Sequence, residues 1–163
     1  EEAIKVSRIA AAECKDAPAL AMMSEWQGGW CNMLLHKFKE TKQCFQKILE
    51  SEHKATQDGV PGFYCYTAGI SAVNAGDSKE GIALLQRVEK EAKNLDIPHD
   101  QYAVRAAERA LKALGGVDPS KANECEQFRS ACYLAQMELI LEWNFVKYMP
   151  DDVRKTVGES MDM

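Results

Sequence analysis

The sequence predicts an all-α protein built as a stack of antiparallel helix hairpins. Three observations carry this. Apolar residues recur at three- and four-residue steps along nearly the whole chain, the spacing of one helix face. No segment alternates apolar with polar residues for long enough to build a half-buried strand. Glycine, proline and capping residues cut the helical pattern into short rods. With 163 residues the chain is one domain's worth, read as a single helical repeat domain over 1–163, and 46% hydrophobic residues suffice for a sizeable core.

Taken in order, a first helix precedes Asp16, and Asp16 with Pro18 opens the second. A basic link around Lys37 to Lys39 separates it from the third, and Lys54 to Pro61 reads as a longer loop. Gly76 closes the next helix. Asp77 then caps its successor, with Glu80 three residues on completing a capping box that satisfies the first exposed amides. Pro98 opens another helix and Gly115-Gly116 ends it. Asp118-Pro119 is expected to start a long helix running to about Tyr148, before Pro150.

Short helix pairs that each bury one face stack into a solenoid, so internal repeats matter. Gly62 to Val88 places Gly69, Gly76-Asp77, Gly81, Leu85 and Val88 where a tetratricopeptide repeat wants small, turn, small, large and apolar residues. Gly69 and Gly81 are expected on facing helices, where the missing side chains let the backbones approach. A weaker copy runs from Trp26 to Ile48, with Gly29 as its small residue and Thr41, Phe45 and Ile48 on its second helix. The register between copies is roughly 40 residues instead of the usual 34 or so, the Lys54 to Pro61 loop supplying the excess. A third pair, Asp100 to Ala113 and Asn123 to Tyr148, keeps the hairpin without the glycines and caps the stack. The predicted fold is a tetratricopeptide-like right-handed solenoid of about seven or eight antiparallel helices.

Composition excludes several function classes. No apolar stretch approaches the roughly 20 residues a bilayer-spanning helix needs. A net charge of −5 without a long basic run argues against nucleic acid, whose binding is mostly phosphate neutralisation. A protein partner is expected instead. The opening Glu1-Glu2 reads as the start of a fragment or processed piece of a longer chain. Cys14, Cys31, Cys44, Cys65, Cys125 and Cys132 form no Cys-x-x-Cys pair and are expected as free, reduced thiols of an intracellular, cytoplasmic protein.

Gln101-Tyr102-Ala103-Val104-Arg105, with Glu108-Arg109 just after it, resembles a signature of the tetratricopeptide repeat protein thirty-nine family, to which the fungal inclusion-body clearance protein also belongs. Glu138 with Trp143-Asn144 resembles a second signature of that family, and Phe45 to Glu50-Ser51 followed by Gly76-Asp77 falls in its order. The resemblance spans about residue 25 to residue 148. It places the chain in the C-terminal part of these longer proteins and implies an all-helical adaptor without an active site. One departure is His53 and a polar loop where family members carry a tryptophan soon after the equivalent of Glu50-Ser51.

In a tetratricopeptide hairpin the first helix lines a concave groove, and in the best repeat that helix carries Phe63, Tyr66, Ile70 and Val73 at helical spacing. One reading makes this an apolar floor for a partner's amphipathic helix. The favoured one has the long helix containing Met137, Leu141 and Phe145 folding back to fill it, because so large an apolar stripe is rarely left open. A carboxylate clamp is excluded, since Phe63, Tyr66, Thr67 and Ile70 carry no cation. Arg105 and Arg109, one turn apart, are the pair able to contact an anion, with Glu108 placed to balance them.

Glu50-x-x-His53 is the single Glu-x-x-His motif, His36 and His99 lie in other contexts, and Cys31 and His36 are poorly spaced for shared ligation. No metal or cofactor is expected. Neither a Gly-x-Ser-x-Gly turn nor a phosphate-cradling glycine loop occurs, and no catalytic residue is assigned. Trp26 and Trp30 beside Gly28-Gly29, and Met22, Met23 and Met33, read as packing residues. The function that follows is a non-catalytic scaffold or adaptor binding a partner's amphipathic helix or a neighbouring subunit; the alternative is a purely architectural segment of a large assembly.

Overall fold

A computed structural model describes residues 2–13, 18–51, 60–92 and 98–143, and these residues form helices without any strand. In order they are α1 (Glu2–Glu13), α2 (Pro18–Leu34), α3 (Phe38–Glu50), α4 (Pro61–Asn74), α5 (Ser78–Glu91), α6 (Pro98–Lys112), a 3₁₀ helix (Pro119–Glu124) and α7 (Glu126–Trp143). Successive helices pack on one another, as a helical solenoid requires.

The two hairpins α2–α3 and α4–α5 are copies of each other at a step of forty positions. Each first helix ends in the same hydrogen-bonded turn. Lys37 N–H donates to Asn32 O at 2.8 Å and His36 N–H to Met33 O at 3.0 Å; Asp77 N–H donates to Ala72 O and Gly76 N–H to Val73 O, both at 2.9 Å. The residue at the left-handed position is Gly76 (φ 90) in one copy and His36 (φ 54) in the other. Close approach repeats as well. A methyl group at Gly29 would sit 2.8 Å from the Phe45 ring, and one at Gly69 would sit 3.1 Å from Leu85 Cγ. Gly69 and Gly81 do face each other, a Cβ on Gly81 falling 2.9 Å from Gly69 O.

Every residue of α4 from Pro61 to Val73 is buried, which its charge-free sequence permits. Three faces are covered separately. Gly69 and Val73 meet Gly81 and Leu85 of α5; Tyr64 meets the Trp26 ring edge-on at 5.3 Å; Tyr66 and Asn74 meet α6 and α7. Each fully buried large side chain contributes about 1.5–3 kcal/mol. Two of the polar side chains inside bond to backbone carbonyls: Thr67 Oγ1 donates to Phe63 O of its own helix at 2.8 Å and Cys65 Sγ to Leu84 O of α5 at 3.2 Å.

Two expectations are corrected. Asp118-Pro119 starts a 3₁₀ helix, and α7 begins only at Glu126 after an extended Cys125 (φ −78, ψ 94). The reason is tertiary: the break lets Ala122 bury and brings Asn123 Oδ1 to accept the Ser78 N–H at 3.1 Å, at the N-terminus of α5. The capping box is half formed. Asp77 Oδ1 accepts the Glu80 N–H at 3.1 Å, but the Glu80 carboxylate turns to α3, where it meets Lys42 and accepts from Gln46 Nε2 at 2.6 Å. With the Asp77 N–H already engaged by Ala72 O, Glu80 is free to tie the hairpins together. The expected continuation to Tyr148 and most of the Lys54 to Pro61 loop fall outside the described residues; Pro61, expected to end that loop, opens α4 with Val60 before it.

Candidate interaction surface

The four residues read as groove floor lie in the interior. Phe63 is enclosed by Trp26 at 5.9 Å, Trp30 at 6.4 Å and His99 at 5.4 Å between ring centroids. Tyr66 meets Tyr102 edge-on at 6.0 Å, and burial, followed by the neighbouring Tyr102, pushes its hydroxyl well above the ordinary tyrosine value. Ile70 is buried, and Val73 lies against Gly81 with one side on an open cleft. α2 and α6 cover Phe63, α6 meets Tyr66 with α7 beside it, and α5 meets Val73.

α7 buries a different face from the one expected. Phe128, Cys132, Gln136 and Leu139 are fully buried, whereas Met137 and Leu141 are half-buried and Phe145 lies outside the described residues. The buried face is set by polar contacts as well as apolar ones, because Asn74 Nδ2 donates to Gln136 Oε1 and, at 3.3 Å, to Cys132 O. This amide bridge fixes α7 across the end of α4 and was not legible from periodicity.

Asp100 is a second residue that sequence reading missed. Its Oδ1 accepts the Phe63 N–H at 2.9 Å, and Gly62 N–H reaches the same carboxylate, so α6 supplies the cap that Val60 cannot give α4. Burial holds this carboxyl above the usual aspartate range despite those bonds. As the third residue of a helix opened by Pro98, Asp100 reads in sequence as a first-turn acid of its own helix.

Arg105 and Arg109 are exposed on α6. Arg109 Nη2 lies 3.9 Å from Glu138 Oε2 of α7, so the charge opposite it is Glu138, an across-helix partner that spacing alone could not identify. Glu108 is also exposed. Glu50 is exposed and His53 falls outside the described residues; no three metal-ligating side chains cluster among those described. Trp26 and Trp30 pack edge-on at 5.6 Å and both meet Phe45, as packing residues do.

Cys31, Cys44, Cys65, Cys125 and Cys132 are free thiols, and Cys14 lies outside the described residues. Burial raises Cys132 to about 12; burial and then Glu25 raise Cys44 to about 11, which keeps both thiols protonated at neutral pH.

What stays open on this side of the stack is a cleft of about 1000 Å³ between the start of α3, the end of α4 and the first half of α7. Phe38, Val73, Tyr133 and Leu134 give it apolar walls, and Arg129 with Glu126 sits at its α7 side. Tyr133 and Leu134 are exposed, and His36 stacks on Tyr133 at 6.5 Å and meets Phe38 edge-on at 5.6 Å. A smaller pocket of about 190 Å³ lies between α6 and α7 above Tyr66, with Leu134 lining both.

A family model described as Iml2/Tetratricopeptide repeat protein 39 matches residues 1–162, a wider span than the signatures cover. Comparison with curated proteins and with solved structures gives no match.

Proposed function

Because the chain belongs to the Iml2/Tetratricopeptide repeat protein 39 family, we propose that it is a non-catalytic scaffold or adaptor that binds another protein through the cleft bounded by Phe38, Tyr133 and Leu134. The observation carrying this reading is the exposure of Tyr133 and Leu134 on the wall of an open cleft whose lining mixes apolar side chains with Asn123, Glu126 and Arg129. The ligand class is an amphipathic helix or a neighbouring subunit, which would lay apolar side chains against Leu134 and Val73. No described helix is long and apolar enough to cross a membrane. The free thiols support a reducing, intracellular and cytoplasmic setting. A photo-crosslinking amino acid in place of Leu134 captures the partner, whereas the same group in place of Glu89, on the exposed side of α5, does not. Equal labelling from both positions refutes the cleft.

A second reading has its own observation. Phe63 is covered by α2, Tyr66 by α6, and Ile70 is buried, which supports an architectural segment of a larger assembly whose groove is filled by the chain itself. Tyr66→Glu and Ile70→Glu unfold the domain under either reading, because both side chains are buried. The capture experiment separates the two: no partner taken from Leu134 supports the architectural segment.

A further inference from the structure

The two hairpin turns share a backbone and differ at its left-handed position. Met33 O and Val73 O accept the N–H groups of His36 (φ 54) and Gly76 (φ 90) at 3.0 and 2.9 Å. Backbone hydrogen bonds build this turn without a side chain, and glycine enters the left-handed region freely where an L side chain is strained. A methyl group added at Gly76 would meet nothing within 4 Å, so a turn of this form offers a side chain little to pack on. His36 is therefore a cost to its own turn. A residue that breaks a local rule is explained by what it contacts elsewhere.

Both of its ring contacts belong to the cleft. His36 stacks on Tyr133 of α7 at 6.5 Å with 29° between the planes, and it meets Phe38 of α3 edge-on at 5.6 Å. Phe38 and Tyr133 line the cleft from two elements far apart in sequence. The other hairpin turn is joined to the same region by a different bond. Ser78, the counterpart of Phe38, donates its N–H to Asn123 Oδ1 at 3.1 Å, and Asn123 lines the cleft too. Two ties thus reach the cleft from the two turns, one a hydrogen bond and one a ring stack. We propose that His36 is a positioning residue of the cleft: its ring holds the α2–α3 turn against α7 and so fixes the gap between Phe38 and the wall formed by Tyr133 and Leu134. A gap set in advance removes ordering from the cost of binding. That consequence rests on the docking role proposed above, whereas the tie between His36 and Tyr133 stands without it.

Amide exchange of the 163-residue chain, with no partner added, tests the tie. In His36→Gly the exchange of residues 129–134 is expected to quicken by about two- to tenfold, the factor that loss of one aromatic pair implies. The melting temperature holds or rises in the same variant, because the turn is relieved. A residue serving only its own turn would leave α7 unchanged. His36→Asn, whose short side chain also enters the left-handed region, is expected to quicken the same amides, which assigns the effect to the lost ring and not to glycine's freedom. Tyr133→Leu removes the other ring; it should quicken them by itself, and adding His36→Gly to it should change nothing more. Exchange over 129–134 that is unaltered in His36→Gly or in His36→Asn, or full additivity of His36→Gly with Tyr133→Leu, overturns the proposal. Equal capture from Leu134 and Glu89 would refute the docking cleft without touching this result, so the two fail separately.

Discussion

Asp100 of α6 holds the first turn of α4 by accepting the Phe63 N–H at 2.9 Å across 37 positions of sequence. One carboxylate thus ties two hairpins of the stack and supplies the acceptor that a proline-led helix start lacks. Its other oxygen, Oδ2, is buried without a hydrogen-bond partner. The charge is therefore poorly solvated, which is why burial outweighs the backbone bonds and raises the carboxyl above its ordinary 3.8.

Asp100→Ala removes the acceptor and lowers stability by about 1–2 kcal/mol. Asp100→Asn keeps an acceptor for Phe63 and loses the buried charge. Because the folded-state pKa is raised, the folded chain binds the proton more tightly. Stability from this group is full below 3.8 and declines as pH rises through the folded pKa. Urea titrations across that window should show the decline in the parent protein and its absence in Asp100→Asn. His99, held below 6.5 by burial, acts with the opposite sign: its stability is present at higher pH and lost as pH falls from 6.5 through the depressed folded pKa.

Gly81→Ala should be the more damaging of the two interhelical glycine substitutions. The new methyl would lie 2.4 Å from Val73 Cγ2 and 2.9 Å from Gly69 O, so backbone must move, at a cost of about 1–3 kcal/mol. Gly69→Ala meets mainly the Leu85 side chain at 3.1 Å, which can give, and alanine recovers about 1 kcal/mol of helix propensity. Chemical denaturation of both variants checks the order; a Gly81→Ala protein as stable as Gly69→Ala would refute it.

At the two equivalent turns, backbone strain predicts opposite outcomes. Gly76→Ala places a side chain at φ 90 with nothing within 4 Å, so its cost of about 1–2 kcal/mol is purely conformational. His36→Gly relieves the same strain at φ 54 and gives up exposed ring contacts with Phe38 and Tyr133, each of smaller value. Melting temperatures should fall in the first variant and hold or rise in the second.

Asn74→Ala removes the amide that donates to Gln136 and to Cys132 O, leaving Gln136 buried with neither end satisfied. A loss of about 1–3 kcal/mol is expected. It should be concentrated in α7, with amide exchange accelerating over 126–140 while α4 and α5 stay protected. Uniform acceleration across all helices would show that α7 does not open separately.

What the sequence determined by itself is everything written in short-range spacing. The helical periodicity, the glycines of the hairpins, Pro98 at a helix start and Gly76 at the turn each act within a few residues, so their meaning is visible without coordinates. The family signatures are likewise strings. Tertiary structure alone decided which side chains meet across the stack. Asp100 reaching Phe63, Glu80 turning from its own cap to Lys42, Asn123 breaking the expected long helix to meet Ser78, and Gln136 facing Asn74 all join residues 34 or more positions apart. The same holds for the face of α4 that carries Tyr66 and Ile70. Periodicity shows that Tyr66 and Ile70 share a face of an apolar helix, but whether that face meets solvent, a partner or α7 depends on where a helix some 60 residues later comes to rest, as the Asn74 to Gln136 contact records.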